Sequence, residues 1–298
     1  MAQQEMAPVD IEGERLAPDL STSETFEAEE DAIDPLQEGF QLLHDRKPAK
    51  AIEAFDRALK NSPQNVLGLY GKAAALGKLQ RHEEALDIID VVVARHPEDY
   101  DALSLRGVTL YNLGLFDRAE ADFKAAVDSD PTEAFYHEAL AWALICQGRP
   151  DEASKAALRA NLLYKKHSGD PAFSLILAYL GFRMDSNPAE ARKILRFASE
   201  QLDPISWPFP VVAFFNGSID ENGLIVEIST HEQETEARTY IALHHIWENR
   251  LEEARPHLEW VSRRGNPEVF EFALAELALG RLNNQSNALT SIPASVTP

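Results

Sequence analysis

The feature that most constrains this chain is a fixed spacing, about 34 residues long, that runs through its first half. Four alanines set the phase at this spacing, and small residues, leucines and closing prolines keep step with them. They are Ala51, Ala85, Ala119 and Ala153; Gly39, Ala73, Gly107 and Ala141; Leu42, Leu76, Leu110 and Leu144; and Pro63, Pro97 and Pro131. Such a spacing predicts a stack of repeated units rather than one globular core.

The residue types predict that each unit is a pair of antiparallel helices. A small residue in the first helix and an alanine in the second allow the two helices to approach closely, and bulky residues such as Phe55, Ile89 and Phe123 fill the remaining space. The proline then stops the second helix before the next unit begins. The pattern resembles the tetratricopeptide repeat (TPR). We therefore predict an all-α TPR α-solenoid, a right-handed superhelix of antiparallel helix pairs.

The regular pattern weakens along the chain. Ala157 replaces a bulky residue, Lys165 replaces the closing proline, and Tyr179 takes a small-residue position. We predict five helix pairs over residues 34–202, a Pro-rich insertion with a short helix over 203–233, and a sixth pair with a capping helix over 234–282.

Both ends of the chain are predicted to be disordered tails. Residues 1–33 contain ten Asp or Glu and one Arg, and residues 283–298 are polar. Such segments bury too little apolar surface to offset the entropy of the chain.

Composition excludes several classes of partner and site. The formal net charge of -21 argues against binding nucleic acid or an anionic membrane, which select for clustered Lys and Arg. The single cysteine, Cys146, rules out an internal disulfide and a cysteine-based zinc site. No stretch approaches the roughly 18 apolar residues that a membrane span requires. The expected partners are therefore proteins.

No motif for catalysis, a cofactor or a metal is found. The segment from Gly71 to Lys78 has the wrong spacing for a phosphate loop. His231-Glu232 is not followed by the second histidine of a zinc-protease helix. His244 and His245 are adjacent, so on a helix they point about 100° apart and cannot readily share one metal. We predict a chain that is not an enzyme, with no cofactor and no metal site.

The second half resembles a narrower family. The segment WPFPVVAFFNG at 207–217, EARTYIALHHIWENRLEEARPHLEWV at 236–261 and PEVFEFALAELALG at 267–280 follow one another as in bacterial NlpI-type TPR lipoproteins. The resemblance covers about residues 34–282. It implies an adaptor without enzymatic activity that homodimerises and recruits proteases and cell-wall hydrolases. The start of this chain departs from that family, with neither a signal segment nor a lipidated cysteine. We expect a cytoplasmic protein as the sequence stands, and a periplasmic one if a signal segment has been removed.

The candidate binding site is the concave face, which the first helix of each TPR pair lines. Its positions are apolar and aromatic here, whereas TPRs that clamp a carboxylate use Lys, Arg and Asn. The candidate partner-binding residues are Phe40, Tyr70, Val108, Tyr111, Asn112, Phe135, Trp142, Ile145, Phe173 and Ile176.

The sequence leaves three candidates for what covers this face: a client helix or peptide, a second copy of the chain, or its own Pro204–Ile219 segment. We predict a protein–protein adaptor that self-associates as a homo-oligomer, and the alternative is a self-assembling structural component with no soluble client. Tyr111→Asp with Trp142→Glu is expected to abolish capture of the client while melting stays near wild type.

Overall fold

The computed structural model describes residues 34–167 and 169–290, and of residues 285–290 the backbone alone. This part of the chain is 78% helical, with fifteen α-helices and no strand, as an all-α TPR solenoid requires. The first ten helices form five consecutive pairs: α1 (Pro35–His44) and α2 (Pro48–Asn61), α3 (Val66–Lys78) and α4 (His82–Arg95), α5 (Tyr100–Asn112) and α6 (Phe116–Ser129), α7 (Ala134–Cys146) and α8 (Pro150–Lys166), α9 (Ala172–Met184) and α10 (Pro188–Gln201).

A residue with positive φ stands in the turn inside each of the first four pairs. Arg46, Gln80, Gly114 and Gly148 have φ of 56, 60, 72 and 73°. These four positions have the same spacing as the phased alanines, so the turn conformation repeats in step with the packing residues. Glycine adopts it freely, whereas an L side chain such as that of Arg46 is disfavoured there by roughly 1–2 kcal/mol.

Two of the small residues make room for an aromatic ring of the second helix. A Cβ added to Gly39 would lie 2.5 Å from Cε1 of Phe55, and one added to Gly107 would lie 2.6 Å from Cε1 of Phe123. Both rings are fully buried. In these two pairs the predicted contact between a small residue of the first helix and a large residue of the second is therefore present, and it allows the two helices to pack closely.

The closing prolines set the length of the second helices. Helices α2, α4 and α6 each have 14 residues and end just before Pro63, Pro97 and Pro131. Helix α8, which has Lys165 where the proline is expected, runs on to 17 residues. Proline has no backbone N–H to donate and ends a helix, whereas lysine continues it. Helix α8 therefore runs past the point at which α2, α4 and α6 end.

The rest of the chain is less regular. It forms α11 (Phe209–Phe215), α12 (Glu221–Val226), α13 (His231–Trp247), α14 (Leu251–Arg264) and α15 (Phe270–Thr290). The insertion thus holds two short helices where the sequence predicted one, the second capped by Asp220, which accepts from the backbone N–H of Gly223 at 2.8 Å.

Helix α15 also continues past the boundary predicted at residue 282. No glycine or proline stands between Arg281 and Pro293 to stop it. The tail predicted at 1–33 lies outside the described residues, and so do residues 291–298 of the tail predicted at 283–298.

The first helices lie on the inner side of the curved stack. Helix α1 contacts α3, α5 contacts α7 and α7 contacts α9, whereas no comparable contacts join successive second helices in the described chain. Helix α15 contacts α13 and α14 and also reaches back to α5 and α7. No helix among the described residues has both the length and the apolar character to cross a bilayer.

Candidate protein-binding groove

The groove is the inner face formed by α1, α3, α5, α7 and α9. All ten predicted residues lie on these helices, but they differ in exposure. Tyr111, Trp142, Ile145 and Ile176 are buried, and the half-buried ones are Phe40, Tyr70, Val108, Asn112, Phe135 and Phe173. The groove therefore has a covered part and a partly open part.

The middle of the groove is filled by Phe270, the first residue of α15. Its ring is stacked on Trp142 with centroids 5.8 Å apart and planes 5° apart, and Tyr111 meets it edge-on at 4.8 Å. Phe135 completes the aromatic cluster at 6.4 Å. The occupant is thus the chain's own last helix, which was not among the three candidates that the sequence suggested.

Tyr111 also holds the backbone of that helix. Its hydroxyl donates to the carbonyl oxygen of Phe270 at 2.8 Å and lies 3.3 Å from Sγ of Cys146. Burial raises the pKa of Cys146 to about 12, so the thiol stays protonated at neutral pH and lacks the thiolate that a nucleophile needs. Cys146 therefore serves as a small, buried packing residue.

Three carboxyl groups lie near the contact between α15 and the groove. Tyr240 donates to Oε1 of Glu271, and Nε1 of Trp207 donates to Oε2 of Glu236 at 2.5 Å. Burial raises the pKa of Glu271 to about 7. Burial, and then the charge of Glu271, raise the pKa of Glu138 to about 8 and hold that of Glu236 well above its ordinary value. These groups favour the neutral form, so we expect this contact to weaken as the pH rises and they ionise.

The Pro-rich insertion covers a different region. Phe215 of α11 packs against Tyr179 of α9 at 4.6 Å, and Trp247 of α13 lies 6.0 Å from the same tyrosine. The bulky side chain at the small-residue position of the fifth unit is therefore matched by aromatic residues of the insertion and of α13.

The N-terminal part of the groove carries the more exposed apolar residues. Leu67 of α3 is 41% exposed, and Phe40 and Tyr70 are half-buried. Phe40 meets Phe55 edge-on at 5.1 Å, which fixes its ring. This part, lined by α1, α3 and the start of α5, is called the open groove below.

Burial at the centre changes what a substitution there would test. Tyr111 is 0% and Trp142 2% exposed, so Tyr111→Asp with Trp142→Glu would place charges in the core. From this burial we now expect the double variant to melt at a lower temperature than wild type, so a loss of client capture would not report on the groove alone. Phe270 was not among the ten predicted residues, and its one signal in the sequence is an aromatic residue at the start of a terminal amphipathic helix.

Comparison with known proteins agrees with this architecture. The model of the tetratricopeptide repeat family matches residues 42–94 and 75–134. A TPR protein from Parabacteroides merdae ATCC 43184 is 14% identical, with 82% of this chain and 97% of that chain covered and a TM-score of 0.59. MamA from Desulfovibrio magneticus RS-1 is 17% identical, over 57% of this chain and 96% of that one, with a TM-score of 0.50.

A thermophilic TPR protein from Thermus thermophilus, TTC0263, is 25% identical over 56% of this chain and 89% of its own length, with a TM-score of 0.45. TPR proteins are in general non-catalytic scaffolds for protein–protein interaction. The match to the family model, the phased packing residues and the paired helices together identify tetratricopeptide repeats in this chain.

Proposed function

We propose that this protein is a non-catalytic adaptor that binds an amphipathic helix of a client protein in its open groove. The observation that carries the proposal is the contact of Phe270 with the middle of the same groove. There, first-helix side chains hold an aromatic residue at the end of a helix by ring stacking and by one hydrogen bond to its backbone.

The open groove continues this surface toward the N-terminus with the same chemistry. Leu67, Phe40 and Tyr70 offer apolar and aromatic area to a partner. A client helix that presents apolar residues at i, i+3 and i+4 fits such a surface. Recruitment of a protease or a cell-wall hydrolase, which the NlpI-type resemblance implies, is one form that this adaptor role would take.

The test compares one groove variant with one control variant. In Leu67→Glu with Tyr70→Ala the open groove loses apolar area and gains a charge. The control, Leu162→Glu, changes a leucine that is 59% exposed on α8, a second helix outside the groove. Each protein is used for pull-down from native lysate, and a recovered client is then purified and titrated by calorimetry.

We expect the purified client to lose at least about tenfold in affinity for the groove variant, equivalent to about 1.4 kcal/mol, and to bind the control as it binds wild type. Circular dichroism should show the same helicity for all three proteins. Equal binding to wild type and the groove variant would contradict the open groove as the site. Recovery of the chain alone, with a mass that rises with concentration, would favour the self-assembling alternative.

A further inference from the structure

Two buried histidines face one carboxylate at the junction of α12, α13 and α14. Nε2 of His245 lies 3.0 Å from Oε2 of Glu221, and Nε2 of His257 lies 3.1 Å from Oε1 of the same group. His245 is 4% and His257 8% exposed, whereas the side chain of Glu221 is 35% exposed. The cluster is therefore closed on the histidine side and open to solvent beside Glu221.

Hydrogen bonds alone do not account for this arrangement. For both neutral rings to donate to Glu221, both protons must be on Nε2, and each Nδ1 is then an acceptor. Both Nδ1 atoms are buried, and neither has a hydrogen-bond partner among the described residues. A buried polar atom left unpaired costs about 1–3 kcal/mol, so two of them in one cluster require an explanation.

A divalent cation between the three side chains would leave Nδ1 of His245 with a partner. The cation takes the Nε2 lone pairs, so the ring protons lie on Nδ1. Nδ1 of His245 then becomes a donor that faces Oε2 of Glu253 at 3.8 Å. A carboxylate behind a ligating imidazole is the usual second partner of such a histidine.

The spacing and the ligand types suit zinc. One ligand atom from each of the three residues lies within 4.8 Å of the others. Tetrahedral zinc with bonds of about 2.0–2.2 Å separates its ligand atoms by roughly 3.3 Å. Each histidine nitrogen lies at a similar distance, 3.0 or 3.1 Å, from one of the two oxygens of Glu221. Magnesium and calcium prefer oxygen ligands throughout, whereas imidazole selects transition metals.

We propose that Glu221, His245 and His257 bind one zinc ion, which fastens the short helix α12 of the insertion to the sixth helix pair. The fourth ligand position faces solvent on the Glu221 side. Zinc binding at this site does not depend on a client protein, so it can be tested independently of the proposed function.

The experiment uses the full chain, stripped of metal with a chelator and dialysed. Zinc chloride is titrated by calorimetry, and cobalt(II) is titrated while its visible absorption is recorded. We expect one equivalent of each metal to bind, a raised melting temperature with zinc, and no effect of magnesium. His257→Gln and Glu221→Gln should each weaken zinc binding by at least about a hundredfold, the upper end of the loss caused by removing an outer partner.

The control is His244→Gln, because the ring of His244 lies against Phe214 at 5.0 Å and not in the cluster. This variant should bind zinc as wild type does. Failure of the wild type to take up one equivalent would overturn the proposal, as would unchanged binding in both ligand variants. Glu221 is partly exposed, so Glu221→Gln keeps the test valid if His257→Gln does not fold.

Discussion

The first four repeats and the C-terminal block (α13–α15) are held together in different ways. The repeats are built from contacts between neighbouring helices, such as Gly107 with Phe123, at positions that recur from one unit to the next. The block also contacts residues far away in sequence, because Phe270 meets Tyr111 and Trp142. Local repetition thus gives a regular and predictable scaffold, and the long-range contacts close the groove.

The largest expected effect on stability comes from replacing one aromatic ring in the repeats and, for comparison, one in the C-terminal block. Phe123→Ala empties a fully buried site inside the third repeat and should lower the free energy of unfolding by about 3–5 kcal/mol. Phe270→Ala should cost less, about 2 kcal/mol, because that ring is half-buried.

Hydrogen exchange locates the two effects. We expect Phe270→Ala to loosen α15 and expose Trp142 while the amides of α3 and α4 keep their protection, whereas Phe123→Ala should loosen the repeats. Equal loss of protection in α3 and α15 for both variants would mean that the two regions unfold as one unit.

The next effect concerns pH and acts where α15 is buried. Burial raises the pKa of Glu271 from 4.5 to about 7. The folded state therefore holds a proton that the unfolded state releases, and this contribution to stability is complete below pH 4.5 and is lost as the pH rises through 7. The loss amounts to roughly 3 kcal/mol.

Glu271→Gln should remove that dependence. The variant should be more stable than wild type at pH 8.5 and nearly equal to it at pH 4.5, as measured by urea unfolding across this range. Glu276→Gln, on the exposed side of α15, is the matched control and should follow the wild-type curve. A wild-type curve that stays parallel to that of Glu271→Gln would show that the carboxyl is not held neutral.

The smallest expected effect concerns the contact between the small and the large residue inside a repeat. Gly107→Ala puts a Cβ 2.6 Å from the ring of Phe123, whereas Gly77→Ala, near the end of α3, meets nothing within 4 Å. Overpacking costs about 1–3 kcal/mol and alanine gains up to about 1 kcal/mol in a helix. We expect Gly107→Ala to be destabilised by about 1 kcal/mol and Gly77→Ala to be slightly stabilised in thermal unfolding.

A second change should reverse the first. Gly107→Ala with Phe123→Ile copies the pair Ala73 and Ile89 of the second repeat, and we expect it to regain part of the lost stability. If the loss of stability in the double variant equals the sum of the losses in the two single variants, residues 107 and 123 do not pack against each other as proposed.

The sequence by itself determined the repeats. Their small and large residues, the closing prolines and the apolar first helices are local signals in a fixed phase, and neighbouring helices must pack where these signals fall. The all-α solenoid and the placement of the ten candidate residues on first helices follow from them. The turn residues Arg46 and Gln80 gave no such signal, because glycine is absent there and only the shared backbone conformation repeats.

Tertiary structure alone decided how the chain closes on itself. Phe270 reaches Tyr111 across 159 positions, and His245 finds its neighbours in Glu221 and His257 rather than in the adjacent His244. The contact of Phe270 depends on the summed curvature of many helix pairs, each of which adds a small rotation that no short stretch of sequence encodes. The physical reason is that packing within a repeat is set by residues close in sequence, whereas the meeting of distant helices is set by the shape of the whole stack.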